Sequence, residues 1–294
     1  MASSLSARMG AAALLAAAVL WGLSYVAMKF ALESFSPLAM NFFRMAFAFC
    51  ALALFLPRTL HHAQYRKGDA LRIALLLLCE PCLYEICEAV ALANTSAAQA
   101  GMINTTLPVF TAAIGYFALR ERLSGTAWLG CLLTIAGAVW ISLAAVSDSH
   151  APDPLFGNAI MTAGMAVSAC YAILLRQLAP RYSPAFLVTL ETLTGTLFFL
   201  AGTLLSGTGI PLKEVSAISW ASVAFLGVGV SCGAFVLHGI GVARLGASRS
   251  NIYMNLIPVF TILFSMLILG EVMLPSQWLA SAVVFAGVFL CQKG

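Results

Sequence analysis

The chain has 294 residues, 62% of them hydrophobic and only 9% charged, with a formal net charge of +4. A soluble domain carries about 25% charged residues, so apolar surface on this scale needs lipid as its solvent. No basic tract points to nucleic acid. No long polar segment points to a soluble partner domain, and the eight cysteines all fall within apolar runs, which argues against a disulfide framework.

A bilayer-spanning helix needs about 20 predominantly apolar residues. Taken in order, the apolar runs predict spans at Met9–Leu32, Pro37–Leu56, Ala70–Ala93, Ser96–Leu119 and Gly125–Val146. The loop Ser147–Pro154 follows, and then Phe156–Leu178, Pro184–Ser206, Ser219–Val242, Ala247–Leu269 and Ser276–Gln292. Charge placement tests the count. With the N-terminus cytoplasmic, 12 of the 15 basic residues fall in inside segments, and the outside loops carry Glu33, Asp148, Asp153, Glu214 and Glu271. Translocating Lys and Arg is unfavourable, so this alternation places both termini in the cytoplasm.

The chain also repeats itself. Pro108-Val109-Phe110-Thr111 returns as Pro258-Val259-Phe260-Thr261, and the same displacement of 150 carries Glu121 onto Glu271, Trp128 onto Trp278 and Gly137 onto Gly287. A fainter match, displaced by 147, sets Lys29–Pro37 against Arg176–Pro184. Five helices are an odd number, so the second copy enters the membrane inverted, as in many secondary transporters. The expected fold is an all-α integral membrane protein of ten transmembrane helices in two inverted five-helix repeats. Its first repeat is 1–146, its linker 147–155 and its second repeat 156–294.

Thr95-Ser96-Ala97-Ala98-Gln99-Ala100-Gly101, with Pro108 and Glu121-Arg122-Leu123, resembles the fourth-helix signature of the EamA family of the drug/metabolite transporter superfamily. Ala247 to Pro258 with Gly270-Glu271 resembles its second copy, and Trp21-Gly22 the family's first helix. The resemblance implies a ten-helix bundle that moves small metabolites, often by export, across a bacterial inner membrane. It leaves the substrate open.

Three carboxylates, Glu80, Glu85 and Glu88, share less than half the circumference of the third helix. At 1.5 Å per residue from Ala70 they lie about 15, 22 and 27 Å deep, so Glu80 is mid-membrane and Glu88 reaches the outer interface. A carboxylate in hydrocarbon costs about 2.5–3.5 kcal/mol, so such residues normally face an interior and mark a pathway. Glu80 is expected to carry a proton or to face a cationic group. Glu85 shares its depth with Arg44, its expected structural partner. Arg44 and Glu191 occupy matching positions in the two halves, a symmetric place for a charge pair.

Pro108 and Pro258 lie near the midplane and kink their helices, as Pro81 does in the third, and each frees a carbonyl one turn earlier. Asn104 and, in the second copy, Asn251, Tyr253 and Asn255 surround them. Trp21, Tyr25 and Tyr84 could stack on a planar or cationic solute, and His238 is a candidate proton relay or an ordinary interfacial histidine. Glu121 and Glu271 each lie between two helices, where a carboxylate can cap amide groups. The small residues at Gly130–Gly137 and Ala280–Gly287 suit a close helix seam.

The function expected is secondary transport: export of a small metabolite, an amino acid or similar solute, across the inner membrane by alternating access, plausibly against protons. The rivals are a membrane-embedded enzyme and a structural or sensory membrane protein. Neither a metal site nor a cofactor is expected, and the expected partners are the small-molecule substrate and the bilayer, around a monomer.

Overall fold

The computed structural model describes residues 2–53, 65–120, 123–207, 215–246, 250 and 253–293. Every regular element among them is helical. α1 is Ala2–Leu32 and α2 is Pro37–Ala53. α3 runs in three pieces, Asp69–Leu77, a π-helical stretch Leu78–Leu83, and Tyr84–Asn94. α4 is split into Ala97–Asn104 and Leu107–Leu119. α5 is Gly125–Leu143, α6 Pro154–Leu178 and α7 Pro184–Leu205. α8 covers Ala217–Ala224, a π-helical Phe225–Ala234 and Phe235–Leu245. α9 contains Ile257–Phe264 and Ser265–Leu269, and α10 is Pro275–Lys293.

Six of these helices are long and apolar enough to cross a bilayer without interruption: α1, α5, α6, α7, α8 and α10. α2 and the described part of α9 are apolar but shorter. α3 and α4 are interrupted where the sequence places Pro81 and Pro108. At α4 the interruption is a turn at Thr105 and Thr106, whose backbone stays in the right-handed helical region. The next segment starts at Leu107 and has Pro108 in its first turn, where the missing N–H is harmless. Pro258 stands at the same position of Ile257–Phe264.

Serine and aspartate define the helix starts. Ser96, Ser124, Asp153, Ser183 and Ser216 each accept a hydrogen bond from the amide three residues on, at 3.1–3.2 Å. Ser36-Pro37 and Ser183-Pro184, the faint repeat, are equivalent starts of α2 and α7.

The packing has an internal two-fold. α1 packs on α8 and α9, while α6 packs on α3 and α4. On the axis itself α2 meets α7, α4 meets α9 and α5 meets α10. The α5–α10 seam is as close as its small residues allow: a Cβ on Gly130 would lie 2.6 Å from the Gly287 carbonyl oxygen and 2.8 Å from the Cys291 Cα. Gly22 of α1 does the same for α9, where a Cβ would stand 3.1 Å from the Thr261 amide nitrogen.

Polar contacts tie the bundle at both ends. Where the even-numbered helices begin, the Glu271 carboxylate accepts from the Ala97 and Ala98 amides at 2.8 and 2.9 Å. At the same end Lys29 donates to the His150 carbonyl, and Ser219 donates to Phe30 O and Ser34 Oγ at 2.7 and 3.0 Å. Glu271 therefore caps α4 across the bundle, not the helix that follows it in sequence. Glu121 and Asn251 lie outside the described residues. At the other end Asp69, fully buried, accepts from Arg181 Nε and Nη2 at 3.0 and 2.7 Å and from the Tyr182 hydroxyl at 3.2 Å. These hydrogen bonds from Arg181 hold the Asp69 carboxyl below the usual carboxylate range against the opposing effect of burial.

Candidate functional site

A cavity of about 290 Å3 opens in the middle of the bundle, lined from α1, α2, α3, α4, α6, α7, α8 and α9. The third helix makes it possible. At Glu80 the backbone leaves helical geometry (φ −140°, ψ 123°), and a cis peptide joins it to Pro81. Proline offers no amide to continue the ladder, so the Glu80 carboxylate departs from an unwound turn into the cavity. No described residue donates a hydrogen bond to it.

Arg44 of α2 enters from the opposite side. Its Nη1 pairs with Glu85 Oε2 and lies 3.4 Å from Glu88 Oε2, while its Nε lies 3.4 Å from Ser231 Oγ. Arg44, Glu85 and Glu88 are 7%, 4% and 5% exposed. One turn before Arg44, Asn41 donates to the Glu85 carbonyl oxygen at 2.8 Å. Buried ions persist only when paired and hydrogen-bonded, and this cluster meets that condition with one guanidinium serving two carboxylates.

The expected partnership of Arg44 with Glu85 is thus present, and two other expectations are corrected. Glu88 is not a surface-facing residue: it is buried inside the bundle beside Arg44 and accepts from the Tyr84 hydroxyl at 2.8 Å. Arg44 and Glu191 line the same cavity but form no ion pair, because Glu85 and Glu88 already occupy the guanidinium. Glu191 instead accepts from the Tyr171 hydroxyl of α6 at 3.0 Å.

Of the other residues singled out in the sequence, Trp21, Tyr25, Tyr84 and Asn104 line this cavity, and Asn104 donates to the Tyr25 hydroxyl. Asn255, Pro108 and Pro258 line a smaller one of about 130 Å3 at the α4–α9 crossing, which Asn104 shares. Tyr253 lines neither cavity. His238 packs its ring on Trp21, with centroids 5.5 Å apart, and does not line either cavity. Sequence reasoning missed Ser168, Thr192, Ser231 and Tyr171. Tyr171 could have been found through the repeat, since it matches Ser24, which lines the cavity beside Tyr25.

The EamA-like transporter family matches this chain twice, over residues 8–143 and 155–291. The chain belongs to that family. It is an all-α, multi-pass membrane protein of the ten-helix fold, and its relatives are named as transporters. An uncharacterized transporter of Bacillus subtilis (strain 168), YetK, is 28% identical over 71% of this chain and 63% of its own length, so that alignment spans less than two thirds of the relative. An uncharacterized transporter of Archaeoglobus fulgidus is 24% identical over 92% of this chain and 93% of its own. A protein of Streptantibioticus cattleyicolor named "Probable terminal-alkyne amino-acid exporter" is 26% identical over 96% of this chain and 92% of its own. One solved crystal structure superposes on 99% of this chain and 98% of its own with a TM-score of 0.65 at 20% identity, which shows the shared fold.

Proposed function

We propose that this EamA-family member is a secondary transporter that exports a small polar or amphipathic solute of amino-acid size by alternating access, in exchange for protons. The observation that carries the reading is the central cavity, built from both halves of the chain and holding a carboxylate, Glu80, with no described donor. Its volume is at the lower end of ligand pockets, about 300–1,000 Å3, which suits a small metabolite better than a nucleotide. The relative named as an amino-acid exporter is consistent with that size.

In this reading the two repeats meet at the linker 147–155, both termini are cytoplasmic in the inner membrane, and the even-numbered helices begin on the outside. Glu80 exchanges its proton with whichever side the cavity faces, while Glu85 and Glu88 stay bound to Arg44. Full-length protein in proteoliposomes tests this. Glu80→Gln should abolish accumulation driven by a pH gradient and leave solute exchange partly intact. Gradient-driven transport unchanged in Glu80→Gln rules out Glu80 as the carrier, and no flux of any small metabolite by the wild type rules out the transport reading.

A further inference from the structure

We infer that the transported solute is an organic amine with a cationic nitrogen and no carboxylate of its own. The inference rests on the central cavity being the transport site and follows from its supply of donors and acceptors. Four carboxylates line it, Glu80, Glu85, Glu88 and Glu191, against one guanidinium, Arg44. Among the described lining residues Arg44 is the one cation, and its Nη1 and Nε face Glu85, Glu88 and Ser231. A solute carboxylate has to compete with two fixed carboxylates for that single guanidinium.

Part of the neutral donor set is committed as well. The Tyr84 hydroxyl serves Glu88, the Asn104 amide serves Tyr25, the Ser24 hydroxyl serves the Trp21 carbonyl at 2.7 Å and Thr192 serves the Thr189 carbonyl at 3.0 Å. Acceptors are in surplus. Both Glu80 oxygens are without a described donor, and Glu191 receives one hydrogen bond, at Oε1 from Tyr171. An ammonium is the complementary group, since it brings donors and no acceptor. Its positive charge balances a carboxylate that hydrocarbon would otherwise penalise. The apolar part of the solute meets Trp21, Tyr25, Tyr84 and Phe235, whose rings also favour a nearby cation. A zwitterionic amino acid satisfies the ammonium half of this site and leaves its carboxylate among like charges.

The test uses full-length protein in vesicles of phosphatidylethanolamine and phosphatidylglycerol, with protein-free vesicles as the baseline for passive leak. Two matched sets are assayed by radiolabel counterflow: phenethylamine, phenylalanine and 3-phenylpropanoate, and butylamine, norvaline and pentanoate. At least one amine should move about tenfold or more faster than its amino acid, with the acids at baseline. Releasing Arg44 by Glu88→Gln, or independently by Glu85→Gln, should lower that ratio severalfold in whichever variant keeps the wild-type melting profile. Amino acids moving as fast as the amines, or any movement of the acids, overturns the amine inference and leaves the transport reading standing. A ratio unchanged in a folded Arg44-releasing variant also overturns it. No movement of any probe overturns the amine inference, and the transport reading then stands or falls on the wider metabolite flux.

Discussion

Glu271→Gln is the perturbation that most directly tests how the bundle is closed where α4 begins. The carboxylate holds two amide groups of the first turn of α4, and Ser96 holds a third at 3.2 Å, so together they satisfy three of the four orphan donors of that helix end. Gly270, at φ +68°, turns the end of α9 so that Glu271 can reach across. Glutamine keeps one acceptor oxygen and removes the charge. A hydrogen bond to a charged group contributes about 1.5–3 kcal/mol, and a charge at a helix terminus about 0.3–1 kcal/mol. Glu271 is half-buried, so the lower end applies: about 2 kcal/mol, or about 30-fold in the population of states with this contact open. The assay is labelling of Thr192→Cys, a cavity residue, in an otherwise cysteine-free background. A membrane-impermeant maleimide is added from the side on which α4 begins. Labelling should accelerate about 30-fold in Glu271→Gln and further in Glu271→Ala. Rates within about twofold of the parent in both variants would falsify the claim that this carboxylate secures the bundle where α4 begins.

Two more outcomes follow from the same coordinates. The lowered carboxyl of Asp69 means that its link to Arg181 is fully present above the unfolded value, about 3.9, and is lost as pH falls through the folded value. The melting-temperature gap between wild type and Asp69→Asn should therefore be flat from pH 6 to 8 and shrink below about pH 4, as followed by scanning fluorimetry; a gap that widens in acid contradicts the assignment. Cys131 and Cys291 face each other across the α5–α10 seam with sulfurs 3.6 Å apart. Copper-phenanthroline should therefore cross-link α5 to α10 after cleavage of the chain between the halves. Failure to cross-link under conditions that oxidise a control pair on α2 and α7 would contradict the seam.

The features legible in the sequence are those with a period or a depth. Apolar run length gave the helices, and the 150-residue displacement anticipated the paired breaks at Pro108 and Pro258. Depth along a helix set Arg44 level with Glu85. Features that need a second helix to define them were out of reach. Glu88 looked interfacial because depth along a helix says nothing of which neighbours cover a side chain, and Arg44 and Tyr84 bury it. Tyr171 meets Glu191 only because α6 and α7 both pack against the π-helical stretch of α3, and Glu271 meets α4 only because α9 lies against it. The repeat itself misled at Arg44 and Glu191. Symmetry placed them in the same cavity, but charge pairing is decided by the nearest carboxylates, and α3 supplies two of them.

The symmetry says more when followed to the helix ends. Displacements of 150 and 147 carry Asp69 onto Ser219 and Arg181 onto Ser34, and the structure joins both pairs at equivalent places. One joint ties the start of α3 to the α6–α7 turn, and the other ties the start of α8 to the α1–α2 turn. The first is ionic, with Arg181 bidentate on a buried carboxylate; the second is a pair of hydroxyls. Charged hydrogen bonds contribute about 1.5–3 kcal/mol each and neutral ones about 0.5–1.5 kcal/mol. The inverted halves therefore share an architecture without sharing a stiffness. The joint at the start of α8 is the weaker of the two on this count.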